Sequence, residues 1–90
     1  MSSEELLRVF HLVYSEEARF KILRVLASRE AVNLRELSRA VGMDHKSVRR
    51  YLDKLVSIGL VREVQVSPVS RVYVLNEEYN FLRELFQQIR

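Results

Sequence analysis

Only two glycines occur in this chain, Gly42 and Gly59, and they enclose a segment with a strong helical pattern. Its apolar side chains recur at i, i+4 and i+7, the spacing that gives one continuous face on a helix: Val48, Leu52 and Leu55. Asp44 is a favourable N-cap, and a glycine permits the left-handed turn that stops a helix. The pattern predicts a helix over residues 44–58.

A shorter helix is predicted immediately before this segment. Asn33 stands three residues ahead of Glu36, which is the spacing of a capping box, and Gly42 ends the helix. Its inward positions are apolar: Leu34, Leu37 and Val41. Two helices joined by a tight turn are the helix-turn-helix pattern, in which the first helix supports the second and the second enters a groove of DNA.

After Gly59 the sequence changes from a helical period to alternation with a period of two. Two sets of side chains alternate there: Arg62, Val64 and Val66 against Glu63 and Gln65. The run "RVYVL", which begins at Arg71, has the aromatic and β-branched content of a returning strand. Pro68 cannot donate to a strand ladder, so it belongs in the turn or on an edge. Residues 62–75 are therefore predicted to form a β-hairpin, the wing.

Two amphipathic helices are predicted ahead of this unit. Ser2 and Glu5 have a capping-box spacing and open a helix over residues 3–14. Ser15 caps a second helix that ends near Ser28. The inward rows are Leu6, Val9, Phe10 and Val13 in the first helix, and Ala18, Ile22, Val25 and Leu26 in the second.

A last helix is predicted after the hairpin, with Asn76 as its cap and Glu77 and Glu78 in its first turn. One side of it is apolar up to the end of the chain: Phe81, Leu82, Leu85, Phe86 and Ile89. The predicted fold is mainly α with a small β-hairpin, a winged helix-turn-helix with helices at both termini. Residues 1–90 are expected to form one domain, because this length is too short for two ordinary ones.

Composition narrows the class of protein. The absence of cysteine excludes disulfides, thiolate metal sites and cysteine nucleophiles, and no apolar run is long enough to span a membrane. A cytoplasmic, nucleoid-associated protein is therefore expected, without cofactor or membrane. The net charge of +3 matters only if the positive side chains are concentrated on one surface.

Three runs of the sequence resemble the winged-helix repressors of bacteria and archaea, the ArsR-like group in particular. They are "ARFKILRVL", "LRELSRAVGMDHKSVRRYLDKLVSIGLV" and "SRVYVLNEEY". The resemblance implies a homodimeric regulator of transcription that binds double-stranded DNA. Many ArsR-like repressors sense metals through cysteines or histidine and acidic clusters. Here His11 and His45 lie on different elements and neither has a suitable second ligand, so no metal site is predicted.

The outward face of the 44–58 helix is predicted to be basic. With Val48 set at zero, Lys46 and Arg50 lie at about 160° and 200°, opposite the core. The candidate DNA-binding residues of this helix and the wing are His45, Lys46, Ser47, Arg49, Arg50, Tyr51, Lys54 and Arg71. Arginine can form two parallel hydrogen bonds to guanine, and lysine or serine can contact bases or phosphates.

For each of these residues there is also an ordinary explanation. A single charged side chain on a helix is usually only solvated, Asp53 could pair with Arg50, and Tyr51 borders the core and could pack there. His45 could be no more than an exposed imidazole, and Arg71 could be idle at the strand end. The position of the cluster, after a helix-turn-helix glycine and before a wing, favours DNA.

The apolar rows of the terminal helices predict a homodimer. Residues 1–14 and 77–90 would leave a large exposed patch on a monomer, which a second copy would cover. The expected interface residues are Leu6, Val9, Phe10, Val13, Phe81, Leu82, Leu85, Phe86 and Ile89. Two-fold symmetry then predicts an inverted-repeat operator. The alternative is that the last helix folds back over its own domain.

Catalysis is not expected, because no phosphate loop, metal cluster or activated nucleophile is present in the sequence. The remaining rival to a DNA-binding repressor is a winged helix used as a protein-interaction module or adaptor. The two hypotheses differ in the surface that they require. Basic and hydroxylic side chains on the outward face favour DNA, whereas exposed apolar ones favour a protein partner.

Overall fold

The computed structural model describes residues 2–5 and 17–88, which contain four longer α-helices and a two-stranded antiparallel hairpin. The elements follow in the order α1 (Glu17–Ser28), α2 (Leu34–Val41), α3 (His45–Ser57), β1 (Val61–Ser67), β2 (Ser70–Leu75), a 3₁₀ turn (Glu77–Tyr79) and α4 (Phe81–Gln88). The predicted fold class, a winged helix-turn-helix, is confirmed. None of the helices in the described part of the chain is long and apolar enough to cross a membrane.

The apolar core lies where α1 meets α2, α4 and strand β2. Its buried side chains are Ile22, Leu23, Leu26, Ala27, Val32, Leu37, Val41, Val48, Leu52, Leu55, Leu60, Val61, Tyr73, Leu75, Leu82 and Phe86. In α1 the buried face is wider than predicted, because Leu23 and Ala27 are buried as well as Ile22 and Leu26. The predicted inward residues Ala18 and Val25 are only half-buried.

Local hydrogen bonds fix both ends of α2, as the sequence predicts. Asn33 Oδ1 accepts from the backbone N–H of Glu36 at 2.8 Å, and Glu36 Oε1 accepts from the backbone N–H of Asn33 at 3.1 Å. This reciprocal pair is a capping box. At the other end Gly42 adopts a left-handed conformation with φ of 71°, and its N–H donates to the carbonyl of Ser38. The turn between α2 and α3 is therefore determined locally.

The predicted span 44–58 covers α3 and one capping residue on each side. Asp44 is the N-cap and Ile58 the C-cap. Gly59 then has φ of 78°, which lets the chain reverse so that Leu60 N–H donates to the carbonyl of Leu55 at 3.0 Å. Because of this reversal, β1 begins only a few residues after the end of α3.

The hairpin runs over residues 61–75, one residue longer than predicted. Its register pairs Val61 with Leu75 and Val64 with Val72, and a register shift follows Gln65. Pro68 lies in the turn, as predicted, where its missing N–H costs no ladder hydrogen bond. The hairpin is also joined to the start of α2, because Val32 and Tyr73 form an isolated antiparallel bridge.

The last part of the chain differs from the prediction. A 3₁₀ turn and a separate α4 replace the single helix, and the Asn76 side chain does not cap the described residues that follow it. Instead Asn76 Nδ2 donates to the carbonyl of Gly59 at 2.9 Å, and its backbone N–H donates to Leu60 at the same distance. Asn76 therefore fastens the end of β2 to the start of β1.

The N-terminal prediction is described only at its start. Residues 3–5 are helical, and the backbone N–H of Glu5 donates to Ser2 Oγ at 3.2 Å, which agrees with the predicted cap. The rest of this predicted helix lies outside the described residues, including its apolar row Leu6, Val9, Phe10 and Val13. The predicted cap Ser15 and the last apolar residue, Ile89, also lie outside them.

Helix α4 packs on α1 of the same chain. Leu82 and Phe86 are buried, and the Phe86 ring meets Phe20 edge to face with 5.3 Å between ring centroids. The expectation that the whole apolar row of this helix is exposed on a monomer is therefore wrong for Leu82 and Phe86. The alternative prediction, in which the last helix folds back over its own domain, agrees with the burial of these two residues. Phe81 remains 38% exposed and Leu85 is half-buried.

Arg83 on α4 binds the C-terminal end of α1. Its Nη1 donates to the carbonyls of Ala27 and Arg29 at 2.9 Å each, with a longer contact of 3.4 Å to Leu26. The last carbonyls of a helix lack partners within the helix and carry partial negative charge. A guanidinium at this point satisfies them and joins two elements that are distant in sequence.

We expect Arg83→Met to lower the free energy of unfolding by about 1–3 kcal/mol, because the charged hydrogen bonds to the partly buried end of α1 are lost while the side-chain length is kept. Urea unfolding followed by circular dichroism measures this change. Glu84→Gln, an exposed neighbour, serves as the control and should change stability by less than about 0.5 kcal/mol. Equal stability of the two variants would show that the contact contributes nothing.

Candidate nucleic-acid interface

Helix α3 has an apolar inner face and a basic outer face, as its sequence predicts. Val48, Leu52 and Leu55 are buried against the rest of the domain. Lys46 and Arg50, on the opposite side, are both exposed. Arg50 and Asp53 form no ion pair in the described part of the chain. The Arg50 guanidinium is thus directed to solvent from a rigid helix.

Asp44 fixes the first turn of α3 and also determines what Ser47 can do. Asp44 Oδ2 accepts from the backbone N–H of Ser47 at 3.0 Å, and Oδ1 accepts from the Ser47 hydroxyl at 2.7 Å. Ser47 was predicted to contact DNA, but its hydroxyl proton is already donated inside the protein. Because phosphate oxygens only accept hydrogen bonds, a Ser47 contact to phosphate would require this bond to break.

A cleft of about 490 Å³ separates the start of α3 from the wing. Three elements line it with basic side chains: Arg35 from α2, His45 and Arg49 from α3, and Arg71 from β2. His45 and Arg49 are four residues apart and so lie on the same side of α3. The structure therefore brings together predicted residues that are up to 26 positions apart in the chain.

The wing side of the cleft is held by an ion pair across the hairpin. Arg71 Nη1 lies 2.9 Å from Glu63 Oε1, so the Arg71 side chain has a defined position. Beside it, burial raises the pKa of the Tyr73 hydroxyl above its ordinary value of 10.0, and the Glu63 charge adds to the effect. Arg49 and Arg71 oppose this shift. Tyr73 is therefore neutral and adds no negative charge to the cleft.

Two arginines of α2 extend the basic surface and were not predicted from the sequence. Arg35 and Arg39 line a second depression of about 480 Å³ at the helix-turn-helix turn, next to Gly42 and His45. Both are exposed and stand four residues apart on α2. Rotating α2 by about 100° per residue from its buried Leu37 would have placed them on the outer face.

The remaining predicted site residues lie at the edge of this surface. Lys54 is exposed on the flank of α3. Tyr51 is half-buried and packs against the core, which agrees with the packing role considered for it from the sequence. The Arg19 guanidinium lies 5.7 Å from the centre of the Tyr51 ring. Tyr51 thus has a clear packing role, and its contact with DNA stays a prediction.

The arrangement offers recognition of a large anion. We define the basic face as the exposed basic side chains of α2, α3 and the wing: Arg35, Arg39, His45, Lys46, Arg49, Arg50, Lys54 and Arg71. Among the residues that the structure describes, no group of three or more His, Cys, Asp or Glu side chains is placed to hold a metal ion. His11 lies outside those residues.

A helix-turn-helix followed by a hairpin that flanks its second helix defines the winged-helix class of proteins. Within this class the chain belongs to the HVO_A0114 family, whose model matches residues 15–78. No curated protein sequence matches the chain.

Solved structures with this fold include transcriptional regulators. Reduced HlyU from Vibrio cholerae N16961 is 23% identical, covering 92% of this chain and 86% of its own, with a TM-score of 0.76. The homodimeric winged helix-turn-helix DNA-binding domain of Mb0332 from Mycobacterium bovis, a possible ArsR-family transcriptional regulator, is 20% identical over 99% and 83%, with a TM-score of 0.67. The transcriptional regulator PA3341 is 34% identical, with a TM-score of 0.71; the match covers 89% of this chain and 60% of PA3341.

The Asp44 cap should make the stability of α3 depend on acid pH. Hydrogen bonds from the Ser47 hydroxyl and backbone N–H lower the pKa of Asp44 below its ordinary value of 3.8. Because the folded pKa is the lower one, the carboxylate stabilises the folded state above about pH 4, and this contribution is lost as the pH falls through the folded pKa. Asp44→Ala should therefore lower the melting temperature at pH 7, with a smaller difference from wild type at pH 3.

Melting curves at the two pH values measure this effect. Asp53→Ala provides a matched control, because Asp53 is an exposed aspartate of the same helix away from its N-terminus. A difference between Asp44→Ala and wild type that is the same at both pH values would contradict the proposed role of the ionised carboxylate.

Proposed function

We propose that this protein is a transcriptional regulator that binds double-stranded DNA in a sequence-specific manner. The single observation that carries the proposal is the basic cleft, in which α2, α3 and the wing each contribute a cationic side chain. A cluster drawn from three elements around one groove is typical of a surface that follows a phosphate backbone, whereas solvated charges need no such convergence. Helix α3 is the recognition helix.

The dimensions of α3 fit the major groove. An α-helix with its side chains is about 10–12 Å across and the major groove is about 12 Å wide. Lys46 and Arg50 point away from the core into that groove, where Arg50 can donate two hydrogen bonds to guanine O6 and N7. His45 and Arg49, on the cleft side, are then close to the phosphates at the groove edge. Arg35 and Arg39 of α2 contact the same backbone from the opposite side of the turn.

The wing lies next to the backbone or the adjacent minor groove. Arg71 is the cation on that side, and the ion pair with Glu63 holds it toward the cleft. A guanidinium can serve a phosphate or a narrow minor groove, where the negative potential is strongest. A phosphate contact from Arg71 would increase affinity for DNA of any sequence, while the base contacts of α3 give the preference for one site.

Membership of the ArsR-like group and action as a repressor are the finer parts of the proposal. The three sequence runs described above support the group, and the similarity to Mb0332 agrees with it. Because the chain contains no cysteine, a signal sensed through thiolates is not part of this proposal. A winged helix that occupies an operator most simply prevents other proteins from using that DNA, which is repression.

The protein-interaction hypothesis makes a different demand on the surface. It requires exposed apolar residues on the outer face of α3 or on the wing, and the outer face of α3 carries Lys46 and Arg50 instead. Retention on a heparin column distinguishes the DNA-binding hypothesis from the protein-interaction hypothesis. A protein with a phosphate-binding surface elutes late, and its elution depends steeply on salt concentration. Early elution that is insensitive to salt would favour the protein-interaction module.

Arg50→Ala and Arg71→Ala should weaken DNA binding in different ways. If Arg50 contacts guanine, its loss should cost about 1–3 kcal/mol on a preferred duplex selected from random DNA, and less on random duplex. Loss of Arg71 should weaken both duplexes equally and reduce the slope of log affinity against log salt by about one. Fluorescence anisotropy at several salt concentrations measures both quantities.

Arg29→Ala is the control, because Arg29 is an exposed arginine at the end of α1, beside α4 and away from the basic cleft. It should bind both duplexes like the wild type. Equal losses on both duplexes for Arg50→Ala would reassign that residue to phosphate. A wild-type chain without any preference among duplexes would overturn the proposed function.

A homodimer formed through the terminal helices is proposed as the active species. Of α4, Phe81 and Leu85 keep exposed apolar surface, while Leu82 and Phe86 support the helix from within the chain. The interface would add residues 1–14, as the sequence predicts. Two-fold symmetry would set the recognition helices about 34 Å apart, one turn of B-DNA, and so match an inverted repeat.

Sedimentation equilibrium should find the wild type dimeric at micromolar concentration and Phe81→Glu shifted toward monomer, because a carboxylate would be buried in an apolar interface. Gln87→Glu adds the same charge to an exposed polar position of α4 and should stay dimeric. A monomeric wild type would contradict the dimer, and a dimeric Phe81→Glu would remove α4 from the interface.

A further inference from the structure

The tip of the wing carries the most exposed apolar side chain of the described residues. Val69 is 96% exposed and Val66 is 59% exposed. Val69 and Pro68 form the two-residue turn between β1 and β2. A basic cleft that only contacts phosphate would have no need for Pro68 and Val69 at its rim. Their apolar surface gains free energy only when another surface covers it.

The backbone of the turn that carries Val69 is restrained. The ring of Pro68 restricts the backbone φ, and Ser67 Oγ accepts a hydrogen bond from the backbone N–H of Val69 at 3.4 Å. Ser67 also pairs with Ser70 directly after the register shift, which closes the turn. A short, restrained tip with a branched side chain loses little conformational freedom on binding. It is suited to recognition by shape.

The apolar tip and the cations share one surface. Pro68 and Val69 line the same cleft as Arg49 and Arg71. An occupant of this surface must therefore offer negative charge at its rim and apolar area within it. The minor groove of DNA does so, because phosphates border it and deoxyribose forms its walls. The minor groove is a trough only about 6 Å wide between two rows of phosphates, which suits a two-residue tip flanked by cations, so the observations favour it over an acidic protein surface.

Resting on the proposed function, we infer that Val69 is a specificity-determining residue that contacts the floor of the minor groove and disfavours guanine there. The minor-groove edge of a G·C pair carries the 2-amino donor of guanine, which an A·T pair lacks. Valine offers no acceptor to this amino group and has no flexible chain to move away from it. Covering the amino group would leave a buried donor unpaired, which is unfavourable.

Two base analogues test this directly on the full chain and the preferred duplex obtained by selection. Replacing guanine by hypoxanthine removes the 2-amino group, and replacing adenine by 2,6-diaminopurine adds it, while the major-groove hydrogen-bonding pattern stays the same. The replacements are made one base pair at a time in the flanks beside the segment read by α3. Affinity is measured for the wild type, Val69→Ala and Val66→Ala.

At the base pair beneath the wing, diaminopurine should lower wild-type affinity about threefold or more, and hypoxanthine should raise it by a similar factor where guanine stands. Val69→Ala should lose most of this response. Val66→Ala should keep it, because Val66 is also an exposed valine but does not line the cleft. Both variants alter exposed side chains, so melting curves should match the wild type.

Several outcomes would overturn the inference while leaving the proposed function intact. A wild type that prefers its duplex but ignores both analogues throughout the flanks would show that Val69 does not contact the minor-groove floor. An equal response of Val69→Ala and wild type would assign the effect to groove shape and not to this side chain. If selection yields no preferred duplex, the proposed function itself fails and the inference fails with it.

Discussion

The position of the wing depends on one pair of backbone hydrogen bonds between Val32 and Tyr73. Val32 N–H donates to the Tyr73 carbonyl at 3.1 Å, and Tyr73 N–H donates to the Val32 carbonyl at 2.7 Å. A two-stranded hairpin alone is at best marginally stable in water, so its direction must be set by contacts outside itself. Because Val32 immediately precedes the cap of α2, this bridge ties the wing to the helix-turn-helix. The cleft between α3 and the wing therefore has walls that backbone geometry fixes.

The charges of the molecule matter through their distribution, since the net charge is only +3. Two of the carboxylates near the basic face are engaged in structure: Asp44 caps α3 and Glu63 pairs with Arg71. Neither acts as a free counter-charge to an approaching anion. A modest excess of cations can thus produce a strongly positive surface on one side. At 0.1 M ionic strength salt screens the attraction to DNA at separations beyond about 10 Å, while the geometry of the basic face stays unchanged.

Local signals in the sequence predicted most of the fold. The capping residues Asn33 and Asp44 and the two glycines act within a few residues, so α2, α3 and the turn between them could be placed from spacing alone. The basic outer side of α3 followed from the same helical geometry. Asn76 could not be interpreted in this way, because its partner is the carbonyl of Gly59, far away in sequence. The burial of α4, the role of Arg83 and the convergence of Arg35 with Arg71 likewise depend on tertiary packing.

The Arg83 contact has a consequence for the order in which the domain can be completed during synthesis. Its partners at the end of α1 are 54–57 residues earlier in the chain. Until α4 leaves the ribosome, the carbonyls of Ala27 and Arg29 have only water as a partner, and Phe20 lacks its aromatic neighbour Phe86. The helix-turn-helix and the wing are therefore fully synthesised before α1 has made its contacts with α4. A chaperone that binds exposed apolar surface would have its target on α1 during that interval.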